Sequence, residues 1–278
     1  MPAHCSYVVF TTRADEPPAT LLADAAVPAL DPALWTLSSR DVDSADPLVE
    51  VLRLLAFERQ PPIPRRYYPT PHLYRQALVL EVGRDDSLYP DAIAFATGAV
   101  AALVAWADGP VVDLTAERCW TRREWTKRVA AKRFRAAQHI SVHTDFAEGG
   151  RTASLHTHGM TKFAHRDFAA LDVPDEGLRA VAQLLGHLAA VRALTLEPLE
   201  PGHAFDPGFG QPMVAFTEAP EGHPVREHVG AAPSVVVDFD VDTGEAVEGL
   251  YELLREAKAL DRAVPDDRHR WRILDAAG

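Results

Sequence analysis

The sequence predicts an α+β protein, with mixed, largely antiparallel sheets and packed helices arranged as two α/β subdomains. Three observations predict it. Residues 139–158 alternate apolar and polar side chains on either side of Glu148-Gly149-Gly150, the pattern of a β-hairpin. Residues 77–137 alternate strand-like and helix-like runs, so hairpins and strand–helix units occur in one chain. At 278 residues the chain approaches the length at which a single core stops growing, which favours subdomains of 1–137 and 138–278.

Composition bounds the chemistry. The 47% hydrophobic and 24% charged residues are those of a globular chain rather than a disordered one. With 40 acidic against 28 basic residues the formal charge is −12, which disfavours nucleic acid and anionic lipid and leaves a protein partner as the expectation. Cys5 and Cys119 are too few for a disulfide framework or a thiolate zinc site, and Met1-Pro2-Ala3-His4 opens no signal-like leader. A cytoplasmic protein is therefore expected. The apolar stretch 92–107 is shorter than the ~20 residues a bilayer demands and reads as a buried helix.

The elements follow in order. Tyr7-Val8-Val9-Phe10 is a β run, and residues 13–32 form a loop with room for a short helix. Leu48, Val51, Leu52, Leu54 and Leu55 keep helical spacing after Asp46 as N-cap and Pro47 at the first helical position, predicting a helix to about Gln60. Five prolines make residues 61–71 an extended surface connector. Residues 77–82 and 110–114 read as strands, and 91–107 and 122–137 as helices, giving a β-α-β-α rhythm. Strands at 139–144 and 152–158 flank the hairpin turn. A helix over 176–194, a Pro/Gly-rich loop over 197–212 around Met213-Val214-Ala215-Phe216, a strand at 234–241 and a last helix over 245–260 complete the second half.

One segment concentrates candidate chemistry. His156 and His158 fall two apart on a strand and so share a face, and His165 follows after a glycine-containing turn. Neutral imidazole is a first-rank zinc ligand, so the three form a candidate divalent-metal set, with Asp145 or Asp167 as a general base. His139, His143 and Asp145 on the facing strand are the nearest additional ligands. The alternative is that these histidines are polar residues on an open hairpin face, hydrogen-bonded and without metal.

The same segment resembles a known pattern. Thr157-His158-Gly159-Met160-Thr161-Lys162-Phe163-Ala164-His165-Arg166-Asp167-Phe168 resembles the T-x-G-(L/M)-x-K-F-G-x-P-(D/E)-L signature of bacterial families of unknown function. Ala164 stands where that signature has Gly, and Arg166 where it has Pro. The resemblance implies a small bacterial α+β domain, sometimes met near toxin-immunity or defence genes, and supplies no catalytic residues. From its residue types alone, Gly159 permits a positive φ, Met160 and Phe163 fill a core, and Lys162 points at an anion or into water.

Residues 118–135 reverse the local charge, with Arg118, Arg122, Arg123, Lys127, Arg128, Lys132, Arg133 and Arg135 against Glu117 and Glu124. The tract is either a docking surface for phosphate, as in a nucleic acid, or for an acidic partner, through Arg122, Arg123, Lys127 and Arg128, or a solvated helix whose cations pair with neighbouring acids. Asp238, Asp240 and Asp242 alternate as magnesium carboxylates sometimes do, but also as the wet face of a strand. No phosphate loop, dinucleotide fingerprint, nucleophile elbow or H-E-x-x-H motif is present.

Two functional expectations result. The first is a non-catalytic protein-binding factor without a cofactor, immunity- or defence-associated on the strength of the resemblance, with binding residues Lys162, Arg122, Arg123, Lys127 and Arg128. The second is a metal-dependent hydrolase with zinc or another divalent metal on His156, His158 and His165.

Overall fold

The computed structural model describes residues 4–17, 20–24, 29–43, 45–55, 74–83, 91–130, 134–146, 152–167, 169–175, 178–193, 204–205, 214–218 and 233–236. The proline connector 61–71, the hairpin turn at Glu148-Gly149-Gly150, Phe168, Asp238, Asp240, Asp242 and the helix expected over 245–260 lie outside these residues. The fold is α+β, and the chain divides into two compact units. The first comprises residues 1–134 with Thr161–Ala164, and the second comprises Arg135–Met160 with residues 165–278.

In the first unit the elements are β1 (Cys5–Thr11), α1 (Leu21–Asp24), β2 (Trp35–Asp41), α2 (Pro47–Arg53), β3 (Gln76–Val82), α3 (Asp91–Trp106), β4 (Val111–Asp113), β5 (Arg118–Trp120) and α4 (Arg122–Glu124). The sheet order is β2-β3-β1-β4-β5, and every pair is antiparallel. Because β3 and β4 both run antiparallel to β1, they are parallel to each other, and α3 crosses over the strand between them. The β-α-β-α rhythm of the sequence is thus a split unit inside an antiparallel sheet.

β1 is central and buried along its whole length, which explains its near-continuous apolar run. Val8 and Phe10 point to one face, where they join Val49, Leu52 and Leu55 at α2, together with Tyr74, Ala77, Val112 and Cys119. Cys5, Tyr7 and Val9 point to the other face, towards α3, where Trp35 meets Phe95 with ring centroids 5.1 Å apart. Asp46 caps α2 by accepting from Leu48 N at 2.8 Å, with Pro47 at the first position.

β2 carries no hydrophobic run, WTLSSRD, and its second half is exposed because it is an edge strand. That is why periodicity alone did not mark it. The helix expected over 122–137 is shorter. Thr121 and Glu124 form a capping box, one α turn is followed by a π-helical turn at Trp125–Val129, and by Arg135 the backbone is extended. Like charges four apart, Arg123 with Lys127 and Arg128 with Lys132, disfavour a longer helix, while Trp125 and Val129 need only this much to reach the core.

The second unit contains β6 (Ser141–Phe146), β7 (Thr152–His158), β8 (Ala169–Pro174), α5 (Leu178–Arg192), β9 (Ala204–Phe205), β10 (Val214–Glu218) and β11 (Pro233–Val236). Its sheet order is β6-β7-β8-β11-β10-β9, with β8–β11 parallel and the other pairs antiparallel. α5 buries Val181, Leu184, Leu185, Leu188 and Ala189, a stripe at helical spacing, and packs on β6, β7 and β8. Each buried leucine contributes about 1.5–3 kcal/mol.

Two glycines make the packing testable. A Cβ on Gly109 would collide with the Phe10 carbonyl, whose oxygen accepts the Gly109 N–H at 3.0 Å. A Cβ on Gly186, inside α5, would meet only Val142 Cγ2 at 3.8 Å, an ordinary contact. Gly186→Ala should therefore stabilise the protein by about 1 kcal/mol, the difference in helix propensity. Gly109→Ala should destabilise it, and thermal denaturation of the two variants will show opposite shifts.

Candidate functional site

The β6–β7 ladder builds the site. It sets Ser141 opposite His158, His143 opposite His156, and Asp145 opposite Ser154. Strand alternation places all of these on one face of the pair. The opposite face carries Val142 and Leu155, and it is the side that α5 covers, since Val142 faces Gly186. The histidines therefore occupy the side of the sheet away from α5.

The three imidazoles converge. Ring centroids lie 5.8 Å apart for His143–His156, 4.6 Å for His143–His158 and 4.7 Å for His156–His158. One ligand nitrogen from each lies within 4.8 Å of the others. His156 is buried, while His143 and His158 are half-buried. Nδ1 of His156 stands 3.1 Å from Oδ2 of Asp145, and Nε2 of His143 stands 2.9 Å from Oγ of Ser141.

Zinc–imidazole bonds of about 2.0–2.1 Å at tetrahedral angles place ligand nitrogens about 3.3 Å apart. The nitrogens, within 4.8 Å of one another, are wider apart than that spacing, so binding a metal requires the rings to turn inward. Three imidazoles leave a coordination position for water or substrate, the arrangement of a zinc site that performs chemistry.

The ligand set differs from the sequence expectation in one member. His156 and His158 are grouped with His143 and not with His165, which is half-buried beyond the turn at Met160–Phe163; His139 is buried and also outside the group. The signal was available in the register, since His143 and His156 are equidistant from Gly149-Gly150. Asp167 is occupied structurally: its Oδ1 accepts from Thr157 Oγ1 at 3.0 Å and from Met160 N at 3.1 Å. Of the two acids considered as general base, Asp145 stands against His156 of the group.

The segment Met160–His165 closes as a 3-10 turn. His165 N donates to Met160 O, Ala164 N donates to Thr161 O, and Ala164 takes a positive φ of 59°. This is a Schellman closure with Ala164 at the position that favours glycine. Gly159 has the expected positive φ, 108°.

Lys162 lies in the first unit's core. Its ammonium is fully buried, donates to Oδ2 of Asp113 and sits 5.1 Å from the Tyr7 ring centroid. The anion it meets belongs to its own chain. Burial pushes the Asp113 carboxyl above its ordinary range, while the Lys162 ammonium pulls the other way. Neither cysteine forms a disulfide, both are buried, and burial raises the Cys5 thiol to about 12 and the Cys119 thiol further. Protonated, buried thiols are poor nucleophiles.

Arg122, Arg123, Lys127 and Arg128 are exposed. Arg122 donates to the Ala105 carbonyl at 3.3 Å, and among the described residues no carboxylate lies within ion-pair distance of Arg123, Lys127 or Arg128. Arg118, half-buried, stacks on Trp120 with its guanidinium carbon 4.2 Å from the ring centroid. Among the described residues no helix is long and apolar enough to cross a membrane.

Fold and site together define an α+β protein with a three-histidine cluster on one sheet face. No protein-family model, curated protein or solved structure matches the chain.

The buried pair gives a direct test. Asp113→Asn removes the carboxylate that the buried Lys162 ammonium meets and should cost about 3–5 kcal/mol in denaturant unfolding. The double change Asp113→Leu/Lys162→Met removes both charges, and it should recover most of that loss.

Proposed function

We propose that the protein binds a divalent transition metal, of the zinc class by ligand chemistry, through His143, His156 and His158. The observation that carries this reading is the convergence of three imidazole nitrogens within 4.8 Å at a half-buried place on the sheet. A three-histidine set with an open position supports metal-activated water as the reactive group, so hydrolysis is the reaction class. Asp145, 48% exposed at its side chain and in contact with His156, is the acid placed to assist.

Elemental analysis tests the reading. Wild-type protein purified without chelator should carry about one equivalent of zinc, and His143→Ala and His156→Ala/His158→Ala should lose it. His165→Ala should retain it, which separates this ligand set from one built on His165. Absence of metal in wild type, with no thermal shift on adding zinc, overturns the proposal.

A second reading, a protein-binding factor, is favoured by a separate observation: exposed cations on α4 and the following π turn without carboxylate partners among the described residues. In a chain of charge −12 such a patch fits an acidic protein segment. The resemblance of residues 157–168 to bacterial families met near immunity and defence genes accords with this reading. Polyglutamate should bind at low salt, weaken steeply with added salt, and fail to bind Arg123→Glu/Lys127→Glu/Arg128→Glu. Equal binding by wild type and triple variant removes it, and preferential retention of RNA reassigns the face to nucleic acid.

A further inference from the structure

We infer that the histidine cluster is a metal-closed clasp on the edge of the second unit's sheet: an ion held by His143, His156 and His158 ties β6 to β7, and its occupancy sets how readily β6 opens. The clasp rests on the metal reading above and extends it from what the site binds to what binding does to the fold.

The ligands are divided unequally between two strands. His156 and His158 belong to β7, and their spacing of two keeps them on one face whatever β6 does. His143 belongs to β6 and reaches them only through the pairing register that sets it opposite His156. Zinc sites take three or four protein ligands, so β7 alone supplies too few, and the set is complete only while β6 is paired. The widest ring separation in the cluster, 5.8 Å, is the one between the directly opposite His143 and His156. Drawing the rings inward around an ion therefore pulls across the ladder.

β6 is the strand whose pairing has least support from elsewhere. It ends the sheet order, with β7 as its one neighbouring strand among the described residues, whereas β7 lies between β6 and β8. Its first half is held from the far face, where Val142 meets Gly186 of α5. Its second half is exposed over Thr144, Asp145 and Phe146, with Phe146 at 64%. Few buried contacts and solvent-exposed strand bonds put a segment at the low end of local stability. His143 stands between the two halves, so an ion there fixes the strand just beyond the point that α5 secures.

Linkage gives the magnitude. An ion that binds the paired form and not the opened one reduces the open population by the factor 1 + [M]/Kd, about 100-fold at a free zinc concentration about a hundred times Kd.

The experiment uses the full chain. A competition titration supplies the Kd for zinc, and amide hydrogen exchange is then followed with and without zinc at about a hundred times that value. Residues 142–146 should gain about 100-fold in protection, while α5 and the strands of the first unit stay unchanged, and His143→Ala should abolish the gain. Zinc that fails to bind wild type overturns the metal reading and the clasp with it. Zinc that binds without slowing exchange over 142–146 overturns the clasp and leaves the metal reading standing. A uniform gain over β6, β8 and α5 also overturns the clasp, because the ion then stabilises the unit as a whole and not its edge. Equal zinc affinity in wild type and His143→Ala takes His143 out of the site and does the same.

Discussion

The pairing register of β6 and β7 is the constraint on which the candidate site depends. Side chains alternate with period two, so a slip of one residue on either strand would send its histidines to the face that α5 covers. The register is held from that side: Leu155 and Ala153 are buried, and Val142 meets α5 at Gly186. The apolar face thus fixes the polar one. His143, Asp145, His156 and His158 converge because their neighbours in sequence must be buried, and no element beyond this strand pair is needed to bring them together.

A second constraint operates a few residues further along the chain. Lys162 belongs to the segment that carries the family resemblance, yet its side chain lies in the first unit, fully buried against Asp113. Two charges removed from water stabilise a fold only weakly as a pair, but either one alone is costly. The pair therefore acts more as a condition on which arrangement forms than as a source of stability. The turn around it follows similar logic: Asp167 ties Thr157 and Met160, and Ala164 adopts the left-handed conformation at the position where the resembled signature has glycine. The pattern of residue types in this segment is accounted for by backbone geometry and a buried charge, with no ligand required.

Much of the fold was legible because it is written in local periodicity. The runs that became β1, β4 and α3 are apolar nearly throughout, those that became β3, β6, β7 and α5 carry a periodic apolar pattern, and Asp46-Pro47 announced α2 through its cap. What escaped lacks such a signal. β2 is a polar edge strand, β5 is three residues inside a basic tract, and the helix after Thr121 stops short of where its charge run ends. The candidate site divides in the same way. Strand period alone puts His156 beside His158, but the third member depends on which strand lies opposite and in what register. His165 is nearer in sequence to His158 than His143 is, and sequence distance proved a poorer guide than symmetry about Gly149-Gly150. Lys162 was ambiguous for the related reason that Asp113 lies 49 residues away.

The cluster's chemistry follows from its crowding. Three imidazoles with centroids 4.6–5.8 Å apart stand close enough to share one ligand, and His156 is cut off from bulk water. One ligand nitrogen from each ring lies within 4.8 Å of the others, so three lone pairs are gathered in a small volume. A divalent cation neutralises that concentration of lone pairs at once, whereas protons do so only one ring at a time. Asp145 adds to the preference, since its carboxylate, 3.1 Å from Nδ1 of His156, favours positive charge on or near that ring. A purely structural hairpin face would be equally served by serines and threonines, which bury at lower electrostatic cost. That histidines occupy these places, with the Asp145 carboxylate beside the most buried ring, is the physical observation from which the proposed metal site starts.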